Sequence, residues 1–170
     1  LAVVDKLAEW YVRWVKRCEE VNPNAVYSGE QAGMLEIWAL LYELTGDGKY
    51  MGLAKAYAEQ GMFRVLEKGG DALSDDHANA SIPLSHGAAK MYEVTGDDRW
   101  RELTEKFWQS AVEERGMYCT GGQNAGEFWI PPHELASHLC DRNQEFCTVY
   151  NMVRTASYLY RWTGNGVYAD

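Results

Sequence analysis

The sequence is poor in positive charge. Its 170 residues hold 16 lysines and arginines against 25 aspartates and glutamates, a formal net charge of −9, and basic residues never cluster into a run. A surface of that sign repels phosphate backbones and anionic headgroups, which excludes nucleic acid and anionic membrane surfaces as partners. Long apolar runs are missing too: none approaches the roughly 20 residues of a membrane span. The first residues lack the pattern of a signal peptide, so the compartment stays open, with the cytoplasm favoured. Cysteine is scarce. Cys18, Cys119, Cys140 and Cys147 are too few and too scattered for a disulfide scaffold and suit free or metal-bound thiols.

Apolar and aromatic residues are plentiful, at 46% and 13%. That composition belongs to a globular chain long enough for one domain with a sizeable core. Seven tryptophans and eleven tyrosines are more than packing alone usually demands. Such rings serve as stacking platforms in carbohydrate sites, and large helix interfaces bury them as well, the commoner use.

One phrase recurs: "YELTGDGKY" at 42–50, "YEVTGDDRW" at 92–100 and "YRWTGNGVY" at 160–168. Each copy sets an aromatic, then Thr-Gly-Asp/Asn, then a second aromatic eight places after the first. The glycine suits the left-handed position that ends a helix, and the Asp or Asn suits the N-cap of the next. The phrase therefore predicts a helix–turn–helix joint, and its spacing of about 50 residues predicts stacked helical hairpins. Between the second and third copies lie 18 extra residues, in the aperiodic stretch "TGGQNAGEFWIPPHELASHLCDRNQEFCTVYNM" at 120–152.

Periodicity predicts helices at 2–20, 29–45, 49–67, 79–95, 98–114 and 145–163. The helix over 29–45 is nearly apolar all round from Met34 to Leu44 and is expected to be buried on most sides. The fold class is all-α, with short strands in the long loops left open. Leu1 begins in mid-helix and the third joint stops within a first turn. The expectation is a single partial domain over 1–170, incomplete at both ends, whose partner is the remainder of its parent chain.

Several residues in this frame can carry chemistry. Glu145 and Cys147 are two apart, which places them on different faces inside a helix. At a helix start both can face a site beyond the end, where the positive pole of the helix favours anions. Carboxylate and thiolate together suit zinc, and a capping Glu beside an apolar Cys is the plainer alternative. Glu127 follows Gly126 and precedes two aromatics; a carboxyl desolvated by aromatic walls suits general acid work at a glycosidic oxygen, whereas most loop glutamates are simply solvated. His77, with Asn79, stands at the mouth of the helix over 79–95, where it can bind sugar hydroxyls or cap the helix. Glu30 holds the analogous place one repeat earlier. His133 and His138 read as loop residues and His86 as a satisfied core histidine. No nucleotide-binding glycine motif and no Ser-His-Asp arrangement is present.

Taken in order, "YSGEQAGM", "HANASIPLSHGAAKMYEVTGD", "YCTGGQNAGEFW" and "EFCTVYNM" followed by "YLYRWTGNGVYAD" resemble consecutive signature blocks of the bacterial β-L-arabinofuranosidase family and its relatives, over nearly the whole chain. The resemblance implies an (α/α)6 toroid and a retaining glycosidase acting on L-arabinofuranosides, with a zinc-bound cysteine thiolate as nucleophile. It implies Glu127 as acid/base, Glu145 and Cys147 as two zinc ligands, and His77 and Glu30 as lining of the sugar pocket. The family's remaining zinc cysteine and its nucleophile lie further downstream, and Cys18, Cys119 and Cys140 match no ligand block. The segment alone is therefore expected to be inactive. The alternatives are another (α/α)-toroid sugar enzyme, such as an unsaturated uronyl hydrolase or sugar epimerase, or a helical-repeat binding module without catalysis.

Overall fold

The computed structural model describes residues 2–27 and 31–169. Their helices are α1 (Ala2–Val21), α2 (Met34–Thr45), α3 (Gly48–Tyr57), α4 (Gly61–Glu67), α5 (Ala78–Thr95), α6 (Asp98–Trp108) and α7 (Phe146–Thr163). α6 widens into a π-helical turn over Gln109–Glu114. The strands among the described residues are β1 (Asn124–Ala125) and β2 (Phe128–Trp129), an antiparallel pair in which Asn124 faces Trp129. The chain is all-α, built of the helical hairpins of a toroid domain.

The three joints are nearly identical in their bonding. Gly46, Gly96 and Gly164 adopt φ of 69°, 69° and 64°, and each amide donates 2.8 Å to the carbonyl of Tyr42, Tyr92 or Tyr160. The threonine of the phrase has its own task. Thr45, Thr95 and Thr163 each donate a hydroxyl to the carbonyl four residues back, at 2.7, 2.6 and 2.8 Å. The same hydroxyls accept the amides of Asp47, Asp97 and Asn165 at 3.2 Å. Those side chains cap the next helix through the amides of Lys49, Arg99 and Val167. Orphaned groups at both helix ends are thus satisfied within five residues, so the reversal angle is set locally.

The joints reverse the chain from α2 to α3 and from α5 to α6, and side-chain contacts give the direction of the helices that precede them. Glu36 lies by His86, and Glu43 receives Lys90 at 2.7 Å, so α2 and α5 are parallel. Asn151 donates to Asn79 at 2.8 Å, Thr155 meets Ser85 at 2.8 Å, and Arg161 reaches Glu93 at 2.7 Å, so α7 runs with them. α2, α5 and α7 therefore begin on the same side of the molecule. α5 is the centre, packed on α2, α6 and α7, and its small residues Ala78, Ser81, Ser85, Ala88 and Ala89 are buried. Trp38, Tyr50, Tyr57, Phe63 and Phe107 are the large rings of the core.

Three expectations need correction. The helix placed at 29–45 starts at Met34, because Gln31–Gly33 form a turn; Glu30 lies outside the described residues. α2 is less enclosed than its composition predicted, since Ile37 and Leu44 stay exposed. The helix placed at 49–67 is broken at Ala58–Gln60. Leu53, Ala54 and Tyr57 bury one face of α3, whereas Met62, Phe63 and Leu66 bury α4. At 100° per residue, an unbroken helix would turn the second set away from the first. The break resets the phase, and its freed carbonyls are taken by side chains: Gln60 donates to Tyr57 and Arg64 to Glu59.

A polar cluster joins the three parallel helices. Arg154 of α7 binds both oxygens of Glu36 at 2.6 and 2.8 Å, and the Tyr158 hydroxyl donates to the same carboxylate at 2.8 Å. His86, fully buried between them, donates Nε2–H to the Asn151 carbonyl at 2.8 Å, while its Nδ1 has no partner. Burial pushes its pKa down to about 4, more than the Asn151 carbonyl and Glu36 offset. The ring is neutral at pH 7, so the 3.9 Å approach of Nδ1 to Glu36 is not an ion pair. The core histidine is half satisfied. Between pH 6.5 and about 4 the unfolded chain protonates His86 and the folded protein does not, so this residue lowers stability as pH falls through that window. Denaturant titrations at pH 7 and pH 5 should show His86→Gln losing about 2 kcal/mol less than the wild type over this interval.

Candidate active site

Glu127 sits at the tip of the β1–β2 hairpin. Gly126 and Glu127 form its two-residue turn, with φ of 58° and 79°. Positive φ at both positions is what a hairpin of this length demands, and a non-glycine residue there costs about 1–2 kcal/mol. The surroundings overrule that cost. Trp129 is buried, donates Nε1–H to Ser81 at 2.8 Å, and meets Phe107 edge-on. Backbone bonds hold both flanks: Ala78 N–H to the Glu127 carbonyl, Trp129 N–H to Asp76, and Gly126 N–H to Arg142.

The same bonds bring His77 to Glu127. His77 caps α5, its Nδ1 accepting the Ala80 amide at 3.4 Å. With Nδ1 used as acceptor, the ring hydrogen is assigned to Nε2, which lies 3.5 Å from Glu127 Oε2. Glu127 is not walled in by the described residues: its side chain is 61% exposed, and the neighbouring Phe128 is exposed as well. Among them Glu127 is therefore largely solvated, as most loop glutamates are, without a desolvating aromatic cleft.

The other end of the hairpin reaches Glu145, two residues before Cys147. Glu145 is the N-cap of α7, with extended φ and ψ of −134° and 127°, but its side chain makes no capping bond. Its Oε2 instead accepts Asn124 Nδ2 at 3.1 Å. Cys147, in the first turn of α7, is a free, half-buried thiol. Gly122 is required for this approach, because a Cβ there would lie 2.1 Å from the Asn143 carbonyl oxygen.

A buried clamp ties the loop before His77 to the segment before the hairpin. Arg115, at the end of the π turn, donates to the Ser110 carbonyl and hydroxyl and to Asp71 and Ser74. Gln123 donates to the carbonyls of Ala111 and Gly116, the first at the widened turn. Burial works against ionising Asp71, but bonds from the Ser74 hydroxyl, the Leu73 amide and Arg115 outweigh it and hold the carboxyl at about 2. Beside His77 a cleft of about 170 Å³ opens between the starts of α2 and α5, lined by Gln31, Gln60, Asp76 and Ser81 among others. Burial raises the Asp76 carboxyl above its ordinary value.

The family described as beta-L-arabinofuranosidase, GH127 catalytic domain, matches residues 1–170. The chain belongs to this family of glycoside hydrolases. No curated protein sequence matches it. Set against this glycosidase domain, His77, Glu127, Glu145 and Cys147 all lie at or beside the common starting end of the parallel helices. Glu30 falls outside the described residues. Sequence reasoning missed Asn124, Asp76 and Arg115, each identified only by a contact with residues distant in the chain; the paired glycines at 121–122 were the one local hint of a tight approach.

The donor types fit one half of a zinc site. One carboxylate oxygen of Glu145 has no hydrogen bond among the described residues, and the Cys147 thiol is free. No group of three His, Cys, Asp or Glu residues suited to a metal occurs among the described residues, so a zinc ion held by this pair would need two further donors from outside them. The positive φ at Glu127 also makes a stability prediction. Glu127→Gly relieves the turn and should leave unfolding stability unchanged or raise it by up to about 1 kcal/mol, while Glu127→Val should lower it. Denaturant unfolding of the two variants measures both effects.

Proposed function

We propose that this domain forms part of the active site of a retaining glycosidase that hydrolyses L-arabinofuranosides. The observation that supports it best is that a single hairpin carries Glu127 at its tip and, through Asn124, holds Glu145 at its base. Glu127 is the acid/base: it protonates the departing glycosidic oxygen, then takes a proton from the water that releases the sugar. His77 Nε2–H faces the Glu127 carboxylate and orients it, and with the cleft beside it meets the sugar hydroxyls. Glu30 is assigned to the same pocket from its place in the repeat.

Glu145 and Cys147 would hold a zinc ion as two of its ligands, its remaining donors, like the nucleophile, coming from outside the described residues. Bound zinc supplies the positive charge that keeps a thiol deprotonated near neutral pH. The substrate is a carbohydrate in keeping with the family, and none of the helices among the described residues is long and apolar enough to cross a membrane.

In the intact enzyme, Glu127→Gln should lower turnover of an alkyl L-arabinofuranoside about 10²- to 10⁴-fold. The first step on an aryl glycoside with a good leaving group should suffer less, because that oxygen leaves without a proton. Near-normal turnover of both substrates would remove Glu127 from the mechanism. Elemental analysis of Cys147→Ser should show zinc loss; full occupancy would remove Cys147 from the ligand set.

A further inference from the structure

We propose that Asn124 is a positioning residue for the metal end of the site, holding Glu145 in the rotamer that presents its second oxygen to the ion. The proposal rests on the zinc reading of Glu145 given above.

Asn124 is fully buried on β1. Its side chain makes one hydrogen bond, from Nδ2 to Glu145 Oε2 at 3.1 Å, and its Oδ1 is buried without a partner. The amide orientation follows from chemistry, since the reversed amide would set oxygen against a carboxylate. An asparagine kept for the fold alone would have both ends satisfied, because an unpaired buried acceptor costs about 1–3 kcal/mol. This one accepts that cost while donating to a carboxylate.

The bond also changes what Glu145 does. A glutamate at an N-cap would ordinarily turn toward the free amides of the first helical turn. Glu145 makes no such bond, and one oxygen is held sideways by Asn124 while the other has no hydrogen bond among the described residues. The Thr148 hydroxyl, one residue beyond Cys147, is buried without a partner as well, so the helix start carries a second polar group free of structural duty. Asn124 is itself braced: its carbonyl accepts Asn143 Nδ2 at 2.9 Å, and Asn143 also donates to the His138 carbonyl at 3.0 Å. Because Asn124 and Glu127 share the hairpin, the residue also fixes how far the acid/base stands from Glu145. Outer groups of this kind change metal affinity about 10- to 100-fold when removed.

The test uses the intact enzyme and zinc itself, with Asn124→Leu, Asn124→Ala and Glu145→Gln. Zinc dissociation constants come from competition with a chromophoric chelator, ligand geometry from the visible bands of the cobalt(II)-substituted protein, and fold integrity from melting of the metal-free form. Asn124→Leu should weaken zinc about 10- to 100-fold and shift the cobalt bands, with the metal-free melting temperature unchanged or raised, since an unpaired acceptor has gone. Should the Leu variant fail to fold, Asn124→Ala, which removes the donor without adding a charge or a ligand, must show the same loss of affinity and the same change in the bands. Wild-type affinity in the folded Asn124 variants, with weakened binding in Glu145→Gln, would overturn the role of Asn124 and leave the zinc reading intact. Wild-type affinity in Glu145→Gln would overturn both.

Discussion

The constraint on which everything else depends is the direction of alternate helices. A threonine, a left-handed glycine and a capping Asp or Asn close each joint with the same set of bonds, three times over. These joints reverse the chain from α2 to α3 and from α5 to α6, and side-chain contacts show that α2, α5 and α7 run parallel and begin at one end. Helix starts present unpaired amides and positive potential, so such an end is suited to carboxylates, thiolates and sugar oxygens before any particular residue is considered. The half-buried Glu36–Arg154 pair, with Tyr158, then fixes the register of α2 against α7, while Asn79–Asn151 and Ser85–Thr155 fix α5 against α7.

What sits at that end is less relaxed than the scaffold beneath it. Glu127 occupies a turn position that favours glycine, Glu145 declines the capping bond open to it, and buried acceptors on Asn124 and His86 lack partners. Each departure costs stability, and the surrounding structure offsets it with Trp129, the Arg115 clamp and the hairpin's backbone bonds. Local strain held in place by many contacts is the usual condition of a site built for chemistry. The depressed Asp71 carboxyl belongs to this support, so protonating it near pH 2 loosens the loop that delivers His77.

The joints were legible in the sequence because every bond in them spans five residues or fewer. For the same reason the start of α5, and hence the setting of His77, could be read from capping chemistry, whereas the start of α7 followed from periodicity alone, since Glu145 makes no capping bond. The break between α3 and α4 was not legible, since Ala58, Glu59 and Gln60 are all compatible with helix; it follows from which faces the core buries. The hairpin was hidden because β1 and β2 are two residues each, too short for any alternation, and depend on Trp129 meeting Ser81. Asn124 and the Glu36–Arg154 pair were hidden by distance, the latter 118 residues apart. Family resemblance named Glu127 and the Glu-x-Cys pair, and it carried no information on the contacts that hold them.

The anomer released first in hydrolysis tests the account most directly. Early-time proton NMR on a β-L-arabinofuranoside, recorded before mutarotation, distinguishes one displacement from two. A nucleophile at the metal end working with Glu127 requires two displacements, so the first product should be the β anomer, with configuration retained. Release of the α anomer would mean direct attack by water, and would contradict a site in which Glu127 serves first as acid and then as base.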